Sequence, residues 1–285
     1  MLMKLWFRTA AAACIAVLMT FPTTGCAALD SIPLATATKT MTEQFSTGAA
    51  PELIVSTFNG TIDVSPGDTN DVVVELTKKA SGIDDDAANA ALDQIEVSMV
   101  QDGNRIHITA KALTSHGNLG ASVVLAVPAG AKIDLHTSNG GIVCEGIRGG
   151  VAAATSNGKL EVVEGTGKLQ LSTSNGAIEL DANHAAVDAR TSNGAIKFAG
   201  TLANTEHKLK TSNGRIRLAL PAGSSFHFEG TTSNGRVNCE FPLKTEGKSR
   251  RTRLKGDVGE NPTASVIAST SNGQIDVVKA GSDAQ

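Results

Sequence analysis

The sequence predicts an all-β chain wound as a stacked parallel β-helix, and three observations predict it. The tetrapeptide Thr-Ser-Asn-Gly recurs from Thr137, Thr155, Thr173, Thr191, Thr211, Thr232 and Thr270, with a degenerate copy at Thr57-Phe58-Asn59-Gly60. The steps between copies are 18, 18, 18, 20 and 21 residues, and a last step of 38 reads as two with one tetrapeptide lost; a fixed period of this size marks a repeat architecture. Around each copy the apolar residues keep the same offsets, as with Leu169 and Leu171 before Thr173 and Ile178 and Leu180 after Gly176. Each unit is therefore strand, Asn-Gly turn, strand, with one face of period two turned inward.

The turn residues are Asn139 and Gly140, Asn157 and Gly158, Asn175 and Gly176, Asn193 and Gly194, Asn213 and Gly214, Asn234 and Gly235, and Asn272 and Gly273. Asn and Gly reach positive φ at least cost, which predicts a sharp bend there. The same dipeptide between alternating strands is also the strongest hairpin signal, so an antiparallel hairpin meander is the alternative. A coil must return to the same corner each time whereas hairpin loops vary freely, and the near-constant step favours stacking. Stacking puts Glu161, Glu179, Lys197 and Arg217 in one outward row, where Glu179 beside Lys197 is favourable and Glu161 beside Glu179 is not.

Taken in order, the chain divides into an export signal over 1–25, a lipid-anchored tether over 26–37, the β-helix domain over 38–278 and a polar tail over 279–285. Lys4 and Arg8, the apolar run Ala10 to Met19 and Thr23-Thr24-Gly25 compose a signal, too short to span a bilayer. Gly25-Cys26 resembles the lipobox of bacterial lipoproteins, which makes Cys26 the lipidation site and the membrane a partner through that lipid. Lys39 to Ser46 reads as a first edge strand, Leu53 to Val64 as the first turn unit and Val72 to Leu76 as a further strand. Asp84-Asp85-Asp86 ahead of Ala87 to Gln94 predicts the one short helix, with acids where the helix dipole favours them. Ile95 to Met99 and Arg105 to Ala110 alternate as a hairpin around Gly103, and Leu113 to Gly120 is a polar loop. Leu125-Ala126-Val127-Pro128 and Leu218-Ala219-Leu220-Pro221 end strands, since proline cannot donate to a ladder. Glu240 to Pro262 is a polar, basic insertion where the missing copy should lie.

The chemistry readable from composition is mostly exclusion. Tyr is absent and the one Trp, Trp6, lies in the signal, which argues against an aromatic carbohydrate platform. The turns carry no acid for calcium, the six histidines show no metal spacing, and no serine elbow or phosphate loop occurs; no metal and no cofactor are expected. Cys144 and Cys239 share one inward slot and read as core residues five steps apart, about 24 Å, too far to pair.

The export signal with Gly-Cys, Leu-Ala-Val-Pro-Ala-Gly and the repeated Thr-Ser-Asn-Gly together resemble the bacterial putative-adhesin families of unknown function, akin to head-domain adhesins. The resemblance spans the chain from Lys39 onward and implies a right-handed β-helix and a binding or scaffolding role at the envelope, outer-membrane or periplasm-facing. It supplies no catalytic residues. A polysaccharide-active β-helix enzyme, lyase or glycosidase, working through Glu161 and Glu179, is the alternative to a protein that is not an enzyme.

Charge points to a partner. Residues 30–196 hold ten basic and twenty acidic residues, and 197–255 hold twelve basic and four acidic. The candidate polyanion site is Lys208, Lys210, Arg215 and Arg217, outward together by alternation around Leu209, Ile216 and Leu218, with Arg236 at the matching position after the next turn and Arg250, Arg251 and Arg253 added by the insertion. Anionic envelope glycans or lipid headgroups are the expected partners. Nucleic acid is not expected, because the signal sends the chain out of the cytoplasm.

Overall fold

The computed structural model describes residues 35–245 and 250–281, which belong to one compact unit, 34–285. The export signal and Cys26 lie outside the described residues. The irregular first third holds β1 (Ala35–Ser46), β2 (Glu52–Ser56), β3 (Ile62–Pro66), β4 (Asp71–Gly82), α1 (Asp85–Leu92), β5 (Ile95–Asp102), β6 (Arg105–Ala112) and β7 (Leu119–Val127). The regular coils follow as β8 (Lys132–Asn139), β9 (Ile142–Glu145), β10 (Val151–Asn157), β11 (Leu160–Thr173), β12 (Ile178–Thr191), β13 (Ile196–Leu202), β14 (Glu206–Lys210), β15 (Ile216–Leu220), β16 (Phe226–Thr232) and β17 (Val237–Cys239). The chain closes with β18 (Leu243–Thr245), β19 (Arg253–Val258), β20 (Ala264–Thr270) and β21 (Ile275–Lys279).

Successive coils pair in parallel and in register: Thr137 beside Thr155, Thr155 beside Thr173, Thr173 beside Thr191. The hairpin meander is therefore excluded, and the fold is a parallel solenoid. Strands preceding the tetrapeptides stack as β6, β2, β8, β10, the second halves of β11 and β12, β14, β20 and β16. Strands following them stack as β7, β3, β9, the first halves of β11 and β12, β13, β15, β21 and β17. Both stacks turn alternate residues inward, so Leu169, Leu171, Ile178 and Leu180 join one continuous core. Full burial of each such side chain contributes about 1.5–3 kcal/mol.

Stack order departs from chain order twice. The coil of β2 and β3 sits between that of β6 and β7 and that of β8 and β9. At the other end the last coil of the chain, β20 and β21, lies between the Thr211 coil and the Thr232 coil. The step of 38 residues thus hides no lost copy: Thr232 and Thr270 are direct neighbours, with the later coil stacked first. The insertion between them caps the end instead. β19 runs antiparallel along β16, and β18 along β19. At the opposite end β5 pairs antiparallel with β6, β4 with β7 and β1 with β4. Capping of this kind covers the terminal coils of a solenoid.

The helix begins where acids and propensity placed it. Asp84 caps it by accepting from the Ala87 N–H at 2.7 Å, and Ala88 and Leu92 turn inward. β1 starts at Ala35, inside the stretch read as tether. β7 and β15 end at Val127 and Leu220, directly before Pro128 and Pro221.

Candidate functional site: the outward rows and the basic end

The turn residues build ladders that run the length of the stack. Each asparagine donates its amide to the carboxamide oxygen of the coil before it, in the order Asn59, Asn139, Asn157, Asn175, Asn193, Asn213, Asn272, Asn234, at 2.6–2.8 Å. Each threonine hydroxyl donates to the preceding coil's corner carbonyl, as Thr173 does to Gly158 at 3.2 Å and Thr232 to Gly273 at 3.0 Å. The glycines are needed for a reason other than the one expected. None of the tetrapeptide residues has positive φ; a Cβ on Gly176 would instead stand 1.8 Å from the Gly158 carbonyl oxygen. The corner is a close approach of backbones.

Beside this corner the outward row in stack order is Asp63, Val143, Glu161, Glu179, Lys197, Arg217, Asp276 and Asn238. Glu161 and Glu179 do lie side by side, and Lys159 reconciles them by reaching both carboxylates, at 2.9 and 2.6 Å. Lys197 adds a contact to Glu179 at 3.0 Å. Hydrogen bonds from Lys159 and then Lys197 hold the Glu179 carboxyl below the usual carboxylate range, and the Glu179 and Glu161 carboxylates raise Lys159.

Sequence reasoning missed the network around Asp276. This carboxylate, 5 % exposed, accepts from Arg215 Nε at 2.6 Å, Asn238 Nδ2 at 2.8 Å and Gln274 Nε2 at 2.6 Å. The three donors come from three successive coils, those of Thr211, Thr232 and Thr270, with the Thr270 coil in the middle of the stack. The network clasps the coil that is out of chain order, and only knowledge of that order could have revealed it.

The predicted basic face is divided by the structure. Lys208 and Lys210 lie on β14, in the stack before the turns, whereas Arg215 and Arg217 flank and lie on β15, in the stack after them. The intervening Thr270 coil puts Ile267 and Ser269 next to Lys208 and Lys210, and Asp276 next to Arg217. Lys208 meets Glu206 at 2.6 Å, Arg215 meets Asp276, and Arg253 meets Glu229 at 3.1 Å. What the structure does gather is Arg236, Arg250 and Arg251. Thr252 and Arg251 carbonyls accept from Thr232 and Val237 N–H groups, each at 2.9 Å, which folds the Arg250–Arg253 turn over the terminal coil that carries Arg236. Arg236, Arg250 and Arg251 are all exposed, and among the described residues no carboxylate pairs with them. Lys210 is exposed and likewise has no carboxylate partner among the described residues.

The remaining candidates are structural. Cys144 and Cys239 are free; with the Thr270 coil counted they stand six steps apart, about 29 Å. Cys144 is buried and its thiol is pushed up to about 12, by burial first and Asp63 second, whereas Cys239 is only partly buried. His207 is fully buried, bridging the Val187 N–H at 3.3 Å and the Ala203 carbonyl at 2.8 Å, and burial lowers it. His227 pairs with Asp257 at 2.6 Å on the outward face, apart from the buried His207. Among the described residues no three His, Cys, Asp or Glu side chains could hold a metal, and no helix is long and apolar enough to cross a membrane.

Comparison with solved structures finds low similarity over most of the chain. A putative cell adhesion protein from Clostridium sporogenes aligns at 10% identity over 86% of this chain and 100% of its own, with a TM-score of 0.34. Putative adhesins from Bacteroides fragilis and Parabacteroides distasonis align at 10% and 13% identity, each over 84% of this chain and 97% of theirs, with TM-scores of 0.39 and 0.32. Comparison with curated proteins gives no match. The family model described as Toastrack DUF4097 matches residues 39–278, all of the solenoid and its caps but the first four residues of β1 and the last of β21, and the chain belongs to that family.

Proposed function

We propose that this protein is an exported bacterial envelope lipoprotein, anchored through Cys26, whose solenoid binds or scaffolds at the cell surface, as the adhesin reading of its family suggests, and does not catalyse. Its ligand is an anionic envelope glycan or lipid headgroup held at the basic end. A right-handed winding goes with this reading, because parallel strands joined by crossovers in one sheet take that hand almost without exception.

The observation that carries the ligand is the gathering of Arg236, Arg250 and Arg251 at the terminal coil, on a cap fixed by backbone hydrogen bonds. Like charges held this close repel, and the repulsion is screened over about 10 Å at 0.1 M salt, so a polyanion bridging them relieves it. Replacing Arg236, Arg250 and Arg251 with Gln should bring elution from heparin and from acidic envelope glycans to markedly lower salt. Elution at the parent's salt concentration would remove this end as a binding site.

The competing enzyme reading rests on Glu161 and Glu179. Glycosidases need one carboxyl kept protonated and one ionised, whereas Lys159 engages both carboxylates here and favours the ionised form of Glu179. Sustained release of reducing ends or unsaturated sugars from a polysaccharide panel would reverse that judgement. The anchor has its own test. Cys26→Ser should abolish fatty-acid labelling and free the protein from the membrane fraction, and a variant that stays membrane-bound would refute the anchor.

A further inference from the structure

One long strand edge is left open at the end of the solenoid opposite the basic cap. β1 runs for 12 residues and pairs along its whole length with β4 on one side; among the described residues no strand covers the other side. It carries no proline and no bulge, and its register with β4 is unbroken from Ala35 to Ser46. Edges of this length normally carry some device against pairing with other chains. Here the charges that could serve as one are self-complementary.

We propose that β1 pairs antiparallel with β1 of a second copy, in the register that places Met41 opposite Met41. In that register Lys39 faces the second copy's Glu43 and Glu43 faces its Lys39. Phe45 then faces Ala37, Thr40 faces Thr42, and Thr38 faces Gln44. Opposite charges directly across an antiparallel pair stabilise it, and the two-fold axis through Met41 repeats every contact. Shifting by two residues in either direction sets Lys39 or Glu43 against an apolar residue, and shifting by four sets Lys39 against Lys39 or Glu43 against Glu43. Only one register forms both ion pairs. The apolar residues of the same face agree with it: Ala35, Met41 and Phe45 pack against the core yet remain partly exposed, and strand addition would cover Met41 and Phe45. The other face, Thr36, Thr38, Thr40, Thr42, Gln44 and Ser46, is wholly polar and exposed, as expected of a sheet that continues into solvent on one side.

The test uses the full chain carrying Met41→Cys, treated with a mild oxidant in the cells that export it. Residues directly opposite in an antiparallel pair have Cα atoms about 4.5–5.5 Å apart, within the range a disulfide spans. The expected product is a covalent dimer bridged through position 41 of both copies, identified by mass spectrometry of the linked peptide. Adding Lys39→Glu or Glu43→Lys alone should lower its yield at least about tenfold, since two attractive cross-strand pairs become repulsive. Combining both changes should restore it, and co-expressing the two single variants should cross-link one to the other. Absence of the symmetric bridge, cross-linking of the introduced thiol to a different protein, or yields indifferent to the charge exchanges would overturn the proposal.

Discussion

Each coil bends at two corners, and the two are built on different principles. At the Asn-Gly corner the backbone keeps ordinary φ and the geometry is imposed from outside: the next coil's carbonyl occupies the space where a Cβ would be. At the opposite corner left-handed residues make the bend, including Gly146, Gly150, Glu164, Gly167 and His184, whose φ values run from 52° to 105°; Gly200, left-handed as well, is the one of these corner residues that also meets its neighbour's backbone as closely as the Asn-Gly corner does. A corner set by contact with its neighbours must be identical in every coil. One set by its own torsions can differ from coil to coil, and these do. The sequence repeat is therefore legible at one corner and nearly invisible at the other.

Adding a methyl group at each corner type should break this comparison if it is wrong. Gly176→Ala would place a Cβ 1.8 Å from a backbone oxygen inside the stack, and overpacking of this kind should cost about 3 kcal/mol or more. Gly223→Ala, in the loop before β16 with open space around it, should be close to neutral. Chemical denaturation of the two variants checks the contrast. If Gly176→Ala matches Gly223→Ala, the corner glycines do not serve close approach.

A smaller effect is expected from the ladder itself. Asn175→Ala removes two side-chain hydrogen bonds, to Asn157 and from Asn193, whereas Asn234→Ala at the end of the row removes one. At about 1 kcal/mol per bond, reduced by solvent at these exposed corners, the first should destabilise roughly twice as much as the second. Equal losses in urea melts would mean that the bonds do not act as a ladder.

The buried histidine adds a pH test within the core. Burial lowers His207 from its ordinary 6.5, so between its folded value and 6.5 the unfolded chain binds more protons than the folded one. Its contribution is complete above 6.5 and is lost as pH falls below that towards the folded value. His207→Val, which matches Val266 in the neighbouring coil, should remove the part of the decline in melting temperature that begins just below neutrality. The decline below the ordinary carboxylate value of 4.5, where Glu52 and Glu179 lose their lysine and arginine partners, should persist. A variant with the parent's profile near pH 6 would show that His207 is not the group responsible.

The smallest effect belongs to the torsional corner. Glu164 holds φ at 54°, a region that costs a residue with a Cβ about 1 kcal/mol more than glycine. Glu164→Gly should therefore raise the melting temperature slightly, the reverse of what alanine does across the coil. A lowered midpoint would mean that the Glu164 side chain matters more than its backbone.

These contrasts also explain what can be read in advance. The strands, the helix behind Asp84 and the inward slots follow from local periodicity, because neighbours in sequence are neighbours on one face, and the parallel stacking is signalled by the near-constant step between copies. Chain order within the stack is not. Nothing in the residues 264–279 says that this coil enters between Thr211 and Thr232, since each tetrapeptide fits any other equally well. The consequence reaches the charged site. Adjacent Thr211 and Thr232 coils would make one patch of Lys208, Lys210, Arg215, Arg217 and Arg236; the intervening coil brings Asp276 among them and leaves the basic group at the cap. Positive φ falls at the corner without Asn-Gly for a related reason: torsional preference is visible in that dipeptide, and the pressure of the next coil is not.

Stack order can be measured directly by disulfide trapping. Lys210 and Thr231 both lie beside Ser269, one on each side. Paired cysteines at positions 210 and 269 should oxidise readily to one intramolecular bridge, identified by mass spectrometry. Cysteines at 210 and 231, two coil steps or about 9.6 Å apart, exceed the reach of a disulfide and should remain free. A bridge between 210 and 231, with none between 210 and 269, would show that the coils stack in chain order and would contradict this account of the solenoid and its basic end.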